Sequence, residues 1–262
     1  MEEKTYLEQF YGSHDEDGRL ASRHGSVEFI TTMRYVERYL CPGARVLEIG
    51  AGTGRYSHAL ARKDYRVDAV ELIEGNIAVF KQNTQPGEPV TITQGDARAL
   101  TGFADNAYDI TLLLGPMYHL YKREDQEQAL AEAVRVTKPG GVIFAAYCMG
   151  DPSIIQYGFM RGNIHMLLEK GMLDRETFTP YSDPCDIFQL YRKEQIDSLR
   201  AELPVEQLHY VSADGFANYI PDVLKEMDRE TFELYLQYHL TVCERPDMTG
   251  MSNHTLDIFR KQ

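Results

Sequence analysis

The stretch Val46-Leu47-Glu48-Ile49-Gly50-Ala51-Gly52-Thr53-Gly54-Arg55-Tyr56 constrains this 262-residue chain more than any other. An apolar run carrying one acid leads into three glycines at alternate positions, and a helical pattern follows over residues 54–63. Glycines after a buried strand let the backbone turn sharply and come close to a ligand, while the helix behind them presents unpaired N–H groups. A dinucleotide fingerprint has the spacing G-x-G-x-x-G and would need glycine at position 55. Arg55 stands there instead. The turn therefore predicts a strand–turn–helix unit that holds a ligand, with the nicotinamide reading disfavoured.

The pattern around the turn supplies the rest of the fold. Apolar residues Val27, Ile30, Met33, Val36 and Leu40 fall near helical spacing over 26–40, and Pro42-Gly43 ends that run. Strands are predicted at 45–50, 66–72, 89–94, 108–114 and 142–147, with helices at 54–63, 74–84 and 123–137 between them. Pro139-Gly140-Gly141 reads as the turn closing the last of these helices. This alternation means βαβ units and a parallel sheet covered on both faces. After residue 150 the rhythm breaks. Residues 153–180 and 193–202 read as helical, 205–212 as a strand, 214–245 as two helices and 254–260 as a last strand. The polar HDEDGR run at 14–19 reads as a loop. No linker marks a boundary, so one domain is expected over 1–262. Within it fall a helical cap (1–40), a ligand-binding core (41–150), helical insertions with the sixth strand (151–250) and the last strand (251–262).

Composition narrows the function. With 43% hydrophobic and 26% charged residues, disorder is excluded, and no apolar run approaches the roughly 20 residues that span a bilayer. MEEKTYLEQF lacks the apolar stretch of a secretory signal. Four widely spaced cysteines form no metal or disulfide pattern and suit a reducing cytoplasm. The net charge of −13 is uneven: −5 over residues 1–150 and −8 over 151–262. A nucleic-acid binder collects phosphates with clustered Lys and Arg, so neither a nucleic-acid nor a membrane partner is expected. The chain is expected as a monomer or homodimer in the cytoplasm.

Two further strand ends carry acids. Glu71 closes the second strand, where a carboxylate accepts both hydroxyls of a ribose; the alternative is a solvated strand-end charge. Gly95-Asp96-Ala97 closes the third, where an acid takes the exocyclic amine of an adenine and a small neighbour leaves room for the ring; the alternative is a turn or cap residue. All three features lie on the carboxyl edge, where such sheets bind ligands. The ordered set of residues 46–56, Glu71, Gly95-Asp96-Ala97, Asp109–Leu114 and Lys138-Pro-Gly-Gly141 resembles the class I S-adenosylmethionine-dependent methyltransferases.

That resemblance implies a doubly wound, mostly parallel seven-stranded α/β sheet of Rossmann-like type whose last strand is antiparallel. It implies S-adenosylmethionine as cofactor. Glu48, Gly50, Ala51, Gly52 and Gly54 would lie at its amino-acid part, Glu71 and Leu72 at the ribose, Asp96 and Ala97 at the adenine, and Leu114 and Gly115 beside them. Glu48 either contacts the ammonium group or caps the glycine-loop amides. Leu114-Gly115-Pro116-Met117-Tyr118-His119 lacks the Asn-Pro-Pro-Tyr pattern of enzymes acting on amide or nucleobase nitrogens. It resembles small-molecule enzymes instead.

His119 is the candidate general base, since an unperturbed imidazole suits an acceptor that arrives protonated; lining the pocket or a structural role are the alternatives. Tyr11, Tyr118 and Tyr157 are the candidate acceptor contacts. The N-terminal segment and residues 154–191 are expected to meet as a lid above Gly115–His119. The remaining histidines show no metal spacing, and His254 reads as a strand-end partner of Asp257. The expected reaction is methyl transfer to O or N, less readily C, of a small molecule. A nicotinamide-dependent oxidoreductase and an inactive cofactor-binding regulator are the competing readings.

Overall fold

A computed structural model describes residues 3–13 and 22–262 of the chain; the loop read at 14–19 lies outside the described residues. Its helices and strands follow from burial. The apolar runs at Arg45–Ile49 (β1), Arg66–Glu71 (β2), Val90–Gln94 (β3), Tyr108–Leu113 (β4) and Thr137–Met149 (β5) form parallel strands. Leu190–Tyr191 (β6) is a two-residue strand beside the end of β5, too short to leave a pattern in the sequence. Val205–Ser212 (β7) and His254–Lys261 (β8) complete the sheet, and β8 runs antiparallel to both of its neighbours. The order is β3-β2-β1-β4-β5-β8-β7. All seven expected strands are present, with the last one reversed.

Each face of the sheet has its own helices. Glu3–Ser13 (α1) precedes Arg23–Tyr39 (α2), whose first turn is capped by Ser22 accepting from the Gly25 amide. This cap starts the helix three residues before the expected Ser26. Arg55–Ala61 (α3), Glu74–Asn83 (α4) and Arg123–Val136 (α5) follow. Because side chains alternate along a strand, Val142, Phe144 and Ala146 of β5 pack with Tyr35, Val36 and Leu60 of α2 and α3. Ile143, Ala145 and Tyr147 pack with Ala129, Leu130 and Ala133 of α5 on the other face. The sheet is doubly wound.

The later region departs from the expected pattern in two places. Pro139-Gly140-Gly141 does not stand between helix and strand: β5 already begins at Thr137, and the register slips between Tyr108↔Thr137 and Ile110↔Val142. The extra residues are a bulge inside the strand. Residues 153–180 are not one helix but a π-helical turn at Ile154–Met160 and a short helix, Ile164–Glu169 (α6). Gly162 and Gly171 take positive φ after each piece and stop it. Lys193–Ala201 (α7) packs on the α5 face, and Arg229–Val242 (α8) is the one long helix of the stretch 214–245. No helix among the described residues is long and apolar enough to cross a membrane.

Candidate active site

The neighbouring carboxyl ends of β3, β2, β1 and β4 deliver Asp96, Glu71, Gly50 and Gly115 to one edge. A cavity of about 850 Å³ lies over that edge. Its walls include Glu48, Gly50, Ala51, Gly52, Glu71, Leu72, Asp96, Ala97, Leu114 and Gly115, together with Tyr11, Tyr118 and His119.

The glycine turn is fixed by close contacts. Gly50 has φ +76°, and a Cβ there would fall 2.4 Å from Pro116 Cδ; one at Gly115 would lie 3.2 Å from the Gly50 carbonyl oxygen. The Gly-Pro step after β4 thus packs directly onto the turn after β1. Gly54 does not line the cavity. It begins α3 at φ +94°, and the space a side chain would need is filled by Phe80 and His58. Its place is in the helix start, which corrects the expectation of a ligand contact.

Glu71 is buried and oriented by three donors. The Gly52 amide donates to Oε2 at 2.8 Å, while the Ile73 amide (2.9 Å) and Asn76 Nδ2 (3.3 Å) donate to Oε1. Burial raises its pKa despite these bonds. Glu48 lies beneath the turn, 1% exposed, and accepts from the Ser57 hydroxyl. Burial is the main cause that pushes its carboxyl up to about 8, and the charge of Glu71 adds to it. Asp96 is gripped by Arg98, whose Nε lies 3.0 Å from Oδ1 and whose Nη2 lies 2.7 Å from Oδ2. Arg98 also reaches Asp125 at 3.3 Å. An adenine amine at Asp96 would share the carboxylate with this guanidinium.

On the other side the two expected segments meet. Tyr11 of α1 places its hydroxyl 2.8 Å from His119 Nε2, and the Phe10 and Phe188 rings are 5.5 Å apart, edge to face. His119 Nδ1 lies 2.8 Å from the Ile187 carbonyl oxygen and must donate to it. Nε2 then accepts from Tyr11, so neither nitrogen is left for a substrate proton in this arrangement. Burial also lowers the His119 pKa to about 4. The general-base expectation for His119 is corrected: its ring ties α1 to the loop around Ile187. Tyr118 stands in the wall, its ring 6.2 Å from that of His119 and 5.7 Å from that of His254. Tyr157, expected at the acceptor, is 45% exposed and outside the cavity; Gln156 of the same π-helical turn and Ser153 just before it line the cavity instead.

Several lining residues had no signal in the sequence. Asn76 and Glu28 come from helices with ordinary patterns. His254 also lines the cavity, and its partner is Asp214 at 2.7 Å rather than Asp257. The parity of a strand explains this. His254, Leu256 and Ile258 point to the α2 side, while Asp257 points to the other face and bonds Arg200 of α7 at 2.6 Å.

Comparisons agree with this architecture. A family model described as a methyltransferase domain matches residues 47–145. A demethylmenaquinone methyltransferase from Renibacterium salmoninarum is 39% identical over 106 residues, 40% of this chain and 41% of that protein. A ubiquinone biosynthesis O-methyltransferase from Pseudomonas fluorescens is 26% identical over 144 residues, 54% of this chain and 61% of that protein. The chain thus matches less than half the length of the first of these curated relatives and under two thirds of the second. Among solved structures, the CcbJ methyltransferase from Streptomyces caelestis superposes with a TM-score of 0.61 at 13% identity, covering 100% of this chain and 99% of that one. Residues 47–145 thus match the methyltransferase-domain family, and the chain shares the fold of the CcbJ methyltransferase, in keeping with the ordered glycine turn, Glu71 and Asp96.

Proposed function

We propose that this protein transfers the methyl group of S-adenosylmethionine to an O or N of a small organic molecule enclosed in the cavity. One observation carries the reading: a single cavity joins the glycine turn and Glu71 at one end to the ring-lined wall of Tyr11, Tyr118 and Phe188 at the other. The residues suit the cofactor. Glu71 is a buried acceptor aimed by backbone amides at the turn, and Gly50, Ala51 and Gly52 leave that turn without bulk. Glu48 offers a carboxyl beneath the turn, suited to an ammonium group.

When bound, S-adenosylmethionine supplies an electrophilic methyl on a cationic sulfur, whose departure as a neutral thioether needs no acid. The protein's own work is then to hold, align and dry the reactants. Glu71 and the loop amides fix one partner, while Leu72, Ala97 and Leu114 supply apolar contact. Phe10, Tyr11 and Phe188 close the acceptor end, and His119 holds Tyr11 in place. An enclosed apolar wall with few polar anchors suits a small acceptor, and the −8 balance of residues 151–262 disfavours a polyanionic one. The relatives named for menaquinone and ubiquinone biosynthesis support the same class.

The test is transfer of a labelled methyl group. Incubation with methyl-labelled S-adenosylmethionine and separate pools of small phenols, carboxylates and amines is expected to label one pool and release S-adenosylhomocysteine in equal amount. A protein that binds the cofactor yet labels none of the pools supports a regulator instead.

A further inference from the structure

The half of the cavity beyond β4 contains a group of polar side chains that the cofactor end does not use. Because β8 is reversed, its first residue shares the carboxyl edge with the ends of β5 and β7. His254 thereby sits in register with Cys148, and Asp214 lies just past β7. His254 Nδ1 is 2.7 Å from Asp214 Oδ2 and 3.6 Å from Glu28 Oε2 of α2. Asp214 is 1% exposed. Its Oδ1 accepts from Ser252 Oγ at 2.6 Å and the His254 amide at 3.1 Å, and its Oδ2 also accepts from Asn218 at 2.5 Å. With the imidazole, four donors saturate this carboxylate, and Nδ1 must carry a hydrogen. Nε2 then lies on the opposite side of the ring, and no described residue bonds to it. The His254 side chain keeps 18% exposure and lines the cavity. His119, by contrast, has both nitrogens engaged.

We propose that His254, held by Asp214, meets the reacting oxygen of the acceptor, which is an aromatic hydroxyl compound bound with one proton shared between that oxygen and Nε2. This deepens the methyl-transfer reading of the cavity and rests on it. The Tyr118 ring beside His254 offers a planar acceptor an aromatic neighbour. The titratable groups facing His254 are Glu28 from α2, Cys148 from β5, Asp214 after β7 and Tyr118 after β4. Burial works against a charged ring, but Glu28, Cys148 and Asp214 outweigh it and hold its pKa well above the ordinary histidine value.

The ring is therefore protonated near neutral pH and offers Nε2–H to an oxyanion. An amine needs its lone pair free, and it would find a donor there beside two carboxylates that favour its ammonium form. The acceptor's proton passes to solvent on binding. In the transfer a lone pair of the oxygen forms the bond to the methyl carbon while the carbon–sulfur bond breaks, its pair leaving with sulfur. The proton stays on Nε2, and the products are a neutral ether and a neutral thioether.

The test is an absorbance titration of the protein loaded with S-adenosylhomocysteine, using 4-nitrophenol as probe and 4-nitroaniline as its amine counterpart. The pH is set below the ionisation of free nitrophenol. The bound probe is expected to show the nitrophenolate band and to bind about tenfold or more tighter than nitroaniline. His254→Gln should remove the band and weaken the probe about tenfold or more. Asp214→Asn should diminish it, which serves if circular dichroism shows that the histidine variant has not folded. Calorimetry of S-adenosylhomocysteine on the same samples separates the outcomes. Normal affinity without a band in the wild type, or a band unchanged in both variants, overturns the role of His254. Failure of the wild type to bind S-adenosylhomocysteine overturns the cofactor reading beneath it.

Discussion

Glu48→Gln is expected to stabilise the ligand-free protein at pH 8 by on the order of 4 kcal/mol, with little effect at pH 5. The carboxyl is fully buried under the glycine turn, and burial first, with the charge of Glu71 adding to it, holds its pKa at about 8. A pKa raised by folding gives its full stability below the unfolded value, where both states are protonated. As the pH climbs above the ordinary carboxylate range the unfolded chain ionises and the folded one does not. Stability is then lost at about 1.4 kcal/mol per unit until the folded pKa is passed. A neutral amide escapes that loss. The same substitution should weaken S-adenosylmethionine, because a cationic ligand draws the proton from Glu48 and gains its charge. Denaturant curves at the two pH values check the first part. A wild type and variant that stay parallel across them would place an ionised Glu48 in the free protein.

Deleting residues 1–20 is expected to lower methyl transfer by about a hundredfold or more, through lost alignment and water entry, while the domain stays folded. Helix α1 brings Phe10 and Tyr11 to the acceptor wall, yet Leu7 is its one buried apolar residue among those described. Its removal costs the core little and the enclosure much. Cofactor affinity should fall only a few-fold, since Glu71 and the glycine turn belong to the sheet. Tyr11→Phe, which keeps the ring and loses the 2.8 Å contact with His119, should cost far less than the deletion. Single-turnover assays with the labelled cofactor report both. Equal rates in full-length and truncated protein would remove α1 from the acceptor site.

The parts of this molecule that could be read in advance are those set by local pattern. Buried parallel strands are continuous apolar runs, so β1, β2, β4 and the middle of β5 announce themselves, and the acids at their ends follow from the strand boundaries. The Gly50 turn was legible for the same reason, although its packing partner Pro116 was not. What escaped depends on contacts between distant segments. Nothing near His119 marks Tyr11 and Ile187 as its partners, 108 and 68 residues away. The pairing of Asp214 with His254 spans 40 residues, and sequence proximity favoured Asp257, which strand parity excludes. Gly54 and Tyr157 each lie one residue from side chains that line the cavity, Thr53 and Arg55 for the first and Gln156 for the second, and a local pattern does not resolve a single residue at a turn.

The claim on which the rest depends is that the carboxyl edge of β1, β2 and β3 is an adenosyl-cofactor site organised by Glu71. Calorimetric titration of the wild type and of Glu71→Ala with S-adenosylmethionine, and of the wild type with NAD, tests it directly. One S-adenosylmethionine is expected to bind per chain, and no NAD. Affinity in Glu71→Ala is expected to be about ten- to a few hundred-fold weaker, from the loss of charge-assisted hydrogen bonds. Equal affinity in the variant, or binding of NAD in place of S-adenosylmethionine, would contradict it.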